Sequence, residues 1–134
     1  MRFLILLLIV ILLFHAIATN FSLYWKYRWI DIIPHIFGGI WLGSLMIWYV
    51  YFSGKVATPK SPVVFVFLII LGAAALGGVL WEFFEFLFDQ FIAKKIYIDS
   101  FQAGLKNTIS DLFFDLFGGL VAVLYFLKQK NAAK

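Results

Sequence analysis

The residues able to do chemistry in this chain are seven carboxylic acids and two histidines. Asp31 and His35 stand four apart, as do Asp111 and Asp115, while Glu82 and Glu85 stand three apart with Asp89 one turn further on. Residues three or four apart are neighbours on one helix face. Two carboxylates so placed repel unless they are protonated, hydrogen-bonded or bound to a cation. An oxygen-rich set with one imidazole suits Mg, Mn, Fe or Zn, and helical bundles build such sites from acids on facing helices. The di-iron pattern needs Glu-x-x-His twice, and this chain has only Glu82-x-x-Glu85. One divalent cation held by His35, Glu82, Glu85 and Asp115 is the economical expectation, with Asp31, Asp89 and Asp111 as the rim of the pocket.

The elements that must position these groups follow from composition. Of the 134 residues, 64% are hydrophobic and 13% charged, with mean hydropathy +0.99. Soluble domains lie near half apolar and a quarter charged, and so small a soluble fold could not hide this much apolar surface. The chain reads as an all-α membrane protein, a four-transmembrane-helix bundle running up-down-up-down. A spanning helix needs ~20 apolar residues, and four segments supply them, at about 3–20, 30–52, 62–91 and 109–128. Together they make 1–134 a single transmembrane domain. The first segment has a rival reading, a secretory signal with Ala16-Ile17-Ala18 as cleavage site.

Direction then gathers the acids. Asp31 and His35 open the second span, and Asp111 and Asp115 open the fourth. Glu82, Glu85 and Asp89 close the third, and His15 closes the first. In an alternating bundle all of these fall in one leaflet. At 1.5 Å per residue, Glu82 lies ~10 Å deeper than Asp89, and His35 ~6 Å deeper than Asp31. Only Asp99 is expected in a loop. An ionisable group inside a span is a functional hypothesis by default.

The cationic residues give sidedness. Arg2, Lys55 and Lys60 of the 53–61 loop, and Lys128, Lys130 and Lys134 make six on one side, against Lys26, Arg28, Lys94, Lys95 and Lys106 on the other. That balance favours cytoplasmic termini. The net charge of +4 reads as lysines snorkelling near lipid headgroups, and no basic run is long enough for nucleic acid. Tyr24, Trp25, Tyr27 and Trp29 form an interfacial belt. The lipid bilayer is the expected partner. With no cysteine, disulfides, thiolate metal sites and cysteine nucleophiles are excluded.

Small residues accompany each acidic stripe: Gly38 and Gly39, Gly78, then Gly118, Gly119 and Ala122. They let membrane helices approach closely, and Gly39-x-x-x-Gly43 makes a homodimer conceivable. There is also an internal echo. DIIPHIFGG at 31–39 aligns without a gap with DLFFDLFGG at 111–119, with His35 opposite Asp115. It suggests two parallel repeats about an axis along the membrane normal.

Structural roles compete with these. Thr108-x-x-Asp111 reads as a capping box opening the last helix. Asp31 reads as the cap of the second, Asp89 as a group in headgroup water, and His15 as a satisfied helix-end histidine. Three functional alternatives remain beside a bound cation. A metal-dependent enzyme could act on a phosphate-bearing lipid headgroup, with the nearby lysines and Arg28 clamping the anion. Proton movement is disfavoured, because the acids fill one leaflet only. A structural protein could hold its acids protonated and hydrogen-bonded. No hydrolase or transferase motif is present, so the residues do not decide whether this is an enzyme.

Asp31-x-x-x-His35 with Gly38-Gly39, then Trp81-Glu82-x-x-Glu85, then Asp111-x-x-x-Asp115 resembles the small VanZ-like and YjdF-type bacterial membrane proteins. The likeness runs from Asp31 to Gly119. It implies a multi-pass protein of the bacterial inner membrane, in a group with some members tied to glycopeptide-antibiotic tolerance. It implies no established catalytic residues.

Overall fold

A computed structural model describes residues 1–52, 61–96 and 100–132. The expected loop positions of Lys55, Lys60 and Asp99, and Lys134 in the tail, lie outside the described residues. Four long helices carry the fold: α1 (Arg2–Asn20), α2 (Ile32–Ile47), α3 (Val63–Phe88) and α4 (Leu105–Ala132). Each belongs to a stretch long and apolar enough to cross a membrane. A helix is the natural state of such a stretch, because it satisfies its backbone groups without water.

The punctuation is local. Pro34 sits in the first turn of α2, where its missing N–H breaks no helical hydrogen bond. A turn of 3₁₀ helix (Arg28–Asp31) leads into α2. Single π-helical turns extend α2 over Trp48–Phe52 and α3 over Asp89–Ala93. Gly104 has φ +104, a conformation that favours glycine, and its carbonyl accepts from Asn107 and Thr108 as α4 begins.

Two expectations about helix starts change. α4 opens at Leu105, so Thr108 and Asp111 are already inside it, and the capping box does not form. The Thr108 hydroxyl instead reaches across to α3. Asp31 does stand at the start of α2, but its side chain makes no cap hydrogen bond.

α2 is the hub. It packs most extensively on α4, then on α3 and α1. The α2–α4 contact is a meeting of backbones. A Cβ added to Gly39 would overlap the Asp115 carbonyl, and one added to Gly118 would overlap the Ile36 carbonyl. Gly43 lies against Ala122 and Gly119. The glycine pair of the Gly39-x-x-x-Gly43 motif is therefore spent inside the chain rather than offered to a second copy.

The bundle has two unlike ends. At one, Ile47, Val66, Ile70, Ala122 and Val123 form a dry core. At the other lie the buried polar side chains His35, Glu82, Glu85, Asp89, Asp111 and Asp115. α1 contributes little burial beyond Leu4 and Ala18; the Trp41 indole fastens it to α2 by donating to the Leu4 carbonyl at 2.8 Å.

Gly39→Ala and Gly118→Ala should each destabilise the fold by at least the ~1–3 kcal/mol typical of overpacking, read as a lower thermal unfolding midpoint in detergent. Gly72→Ala, whose added methyl meets nothing within 4 Å, should leave the midpoint within a degree or two or raise it slightly, since alanine favours helix.

Candidate metal centre at the polar end of the bundle

Helical spacing puts Asp31 and His35 on one face of the α2 segment, and Asn107, Asp111 and Asp115 on one face of α4. The glycine contact presses these faces together. His35 Nδ1 lies 3.1 Å from Asp115 Oδ2. A carboxylate accepts, so the ring donates from Nδ1, and Nε2 is the nitrogen on the far side. Nε2 is buried and has no hydrogen-bond partner; the nearest acid oxygen, Asp31 Oδ1, is 3.9 Å away. One ligand atom from each of Asp31, His35 and Asp111 can be chosen so that all lie within 4.8 Å of one another. Asp111 is 1% exposed. The Asn107 amide donates to Oδ2 of Asp31 at 3.1 Å and also to Oδ2 of Asp111.

The acids of α3 form an adjoining layer. Glu82 Oε2 accepts from the Thr108 hydroxyl at 2.7 Å and from the Gln102 amide at 3.5 Å. Glu85 Oε1 accepts from the Trp81 indole at 2.9 Å. The other oxygen of each glutamate is buried without a partner. Asp89 is buried rather than bathed in headgroup water, and its two oxygens accept the backbone N–H groups of Phe101 and Gln102 at 2.9 Å each. It fastens the segment before α4 to the end of α3.

The site residues expected from sequence are therefore regrouped. Of the four expected ligands, only His35 is in the ion-compatible trio, with Asp115 holding the ring from behind. Asp31 and Asp111, expected at the rim, complete the trio. Glu82 and Glu85 stand in the next layer, and Asp89 works on the backbone. Asn107 and Gln102 had not been singled out, and Thr108 only as a helix cap. Asn107 had a usable signal, since it stands one turn before Asp111 on the same face.

His15 is a satisfied helix-end histidine, with Nδ1 3.1 Å from the Tyr24 hydroxyl. Tyr24 lies between the first two spans. Its phenol is pushed well above the usual range, first by burial and then by the carboxylates of Asp31 and Glu85. It stays protonated.

The internal echo acquires a geometric meaning here. His35 and Asp115 are matched positions of its two copies, 80 residues apart, and they hydrogen-bond. Asp31 and Asp111 are matched at the same offset, and both belong to the trio.

A family model described as "Predicted membrane protein (DUF2238)" matches residues 1–132. The chain belongs to that family. With its four spanning-length helices, it is a multi-pass membrane protein. The match does not carry the VanZ-like or YjdF-type name. No curated protein and no solved structure matches the chain.

Asp89→Ala should release the segment it holds. Amide exchange at Phe101 and Gln102 should quicken at least tenfold, in line with losing charge-assisted hydrogen bonds worth ~1.5–3 kcal/mol each. Asp89→Asn, which keeps one acceptor oxygen, should fall between.

Proposed function

We propose that the polar end of the bundle binds one divalent cation. Nε2 of His35 and one carboxylate oxygen each from Asp31 and Asp111 are its protein ligands, and Asp115 is the group that orients the imidazole. The observation that carries this reading is the buried Nε2 of His35, without a hydrogen-bond partner and 3.9 Å from Asp31 Oδ1, while Nδ1 is held by Asp115. Metal-ligating histidines almost always donate their other ring nitrogen to a carboxylate, carbonyl or water. A buried imidazole nitrogen left without a hydrogen bond is otherwise a cost with no return.

The donor set, two carboxylates and one imidazole, selects among Mg, Mn, Fe and Zn. It leaves coordination positions for water or a ligand. A divalent charge also relieves the repulsion of Asp31 and Asp111 across the α2–α4 contact. Glu82 and Glu85 belong in this reading to the polar layer beside the ion. No reaction is assigned.

The whole chain, 1–134, is proposed as one transmembrane domain of a bacterial inner-membrane protein with cytoplasmic termini. The six-to-five cation balance and the VanZ-like and YjdF-type resemblance support this. The centre then faces outward, in the leaflet away from the termini.

Elemental analysis by inductively coupled plasma mass spectrometry on detergent-purified protein tests the proposal. The expected result is about one metal per chain in the wild type, retained in the Glu82→Gln/Glu85→Gln double variant and lost in His35→Ala and Asp111→Asn. Asp115→Asn should weaken binding by the ~10–100-fold typical of losing an outer-shell partner. A metal-free wild type would overturn the proposal. Metal lost with the two glutamates but kept in Asp111→Asn would move the ligands to α3.

A further inference from the structure

Two separate cavities flank the candidate centre, one lined by His35 and the other by Asp31, and they differ in chemistry. The deeper one, about 390 Å³, lies between α1, α2 and α3, with walls that include Leu8, Leu12, Trp41 and Leu80. Its size falls in the ~300–1,000 Å³ range of ligand pockets. His35 and Asp115 line it too, so an apolar crevice ends on the histidine of the trio and the carboxylate that holds it. Its mouth is on the lipid side. Leu12 is 54% and Leu80 57% exposed, both lie in spans, and α1 leans chiefly on α2.

The second cavity, about 260 Å³, is polar. Tyr24, Trp25, Arg28, Asp31, Gln102 and Asn107 are among its lining residues. It sits at the ends of the spans, where an aromatic belt meets the headgroups. Asp31 lines this cavity and His35 the other, one turn apart on α2. Among the described residues the Arg28 guanidinium has no carboxylate within ion-pairing distance.

From the leaflet edge inward the order is therefore an unneutralised guanidinium in a polar cavity, the ion-compatible trio, and an apolar crevice open to lipid. That is the order of parts in a membrane lipid of this leaflet. We infer that these two cavities together seat one phosphate-bearing membrane lipid, its phosphate at Arg28 and the Asp31–His35–Asp111 centre and one hydrocarbon chain in the crevice between α1 and α3. Arginine recognises phosphate by paired, charge-assisted N–H donors. A bound cation would share the same phosphate oxygens at its open positions. That half of the seat rests on the function proposed above, whereas the crevice and Arg28 do not.

The test uses whole protein in nanodiscs carrying phosphatidylglycerol with a diazirine in one acyl chain, beside diacylglycerol with the same tail. After illumination, the labelled residues are mapped by mass spectrometry and metal content is measured on the same samples. The phosphatidylglycerol probe is expected to label the crevice walls around Leu8, Leu12 and Leu80. Labelling should fall at least tenfold in Leu12→Trp and in Leu80→Trp, which fill the crevice from opposite walls at lipid-exposed positions. Leu6→Trp, on the other face of α1 and 62% exposed, should label like wild type. Arg28→Gln should bring the phosphatidylglycerol signal down to that of diacylglycerol. Undiminished labelling in both filling variants, or equal labelling by the two probes in wild type, overturns the lipid seat. Crevice labelling that behaves as expected in metal-free protein overturns the cation and leaves the lipid seat standing. Full metal content with no crevice labelling does the reverse.

Discussion

The hydrogen bond between His35 and Asp115 joins two helices that are far apart in the chain and buried at one end of a membrane bundle. Beside this 3.1 Å contact the two backbones touch, with no room for side chains between them. Glycine at 39 and 118 meets that demand, since each approaches a carbonyl of the opposite helix. The same approach sets Asp31 beside Asp111 and makes α2 the element on which the others lean. Removing the pairing would leave a buried imidazole and a buried carboxylate unsatisfied, the costliest arrangement available in hydrocarbon.

Much of this was legible in the residues. Apolar runs marked four helices, alternation of direction put the acids in one leaflet, and glycine beside acid marked the inward faces. Which acids meet was not legible from spacing alone. Glu82 and Glu85 look the most demanding, deep in a span and three apart, yet each has a neutral donor, the Thr108 hydroxyl or the Trp81 indole. The Thr108 partner depends on the rotation of α3 about its axis, which local periodicity does not encode, whereas Trp81 stands one turn before Glu85 on the same helix. Thr108 also hid its role by imitating a cap: a Thr-x-x-Asp pattern reads the same one turn inside a helix as at its start. The echo between 31–39 and 111–119 was the better guide, because matched positions of parallel helices packed in register must face each other.

The two ends of the bundle divide the work. The dry core around Ile70 and Val123 supplies close packing with no polar group to satisfy, so the opposite end can tolerate buried charge. Asp89 extends that polar end outward by pinning Phe101 and Gln102, and the Trp25 indole ties the same segment down through the Ser100 carbonyl at 2.8 Å. The ceiling over the acids is thus fastened from two sides. The wall formed by α1 is not, since it is held by few buried residues and the Trp41 indole.

The repeat carries one more consequence, which concerns broken symmetry. Two identical copies meeting in register would set Asp against Asp or His against His at the 35/115 position. Two carboxylates would repel, and two imidazoles would leave the ring without an anionic acceptor. With one copy carrying His and the other Asp, the like pair becomes a donor and an acceptor, and the imidazole is fixed in a single direction. A nearly two-fold interface thereby acquires a front and a back, and only the front presents an open nitrogen to the two aspartates.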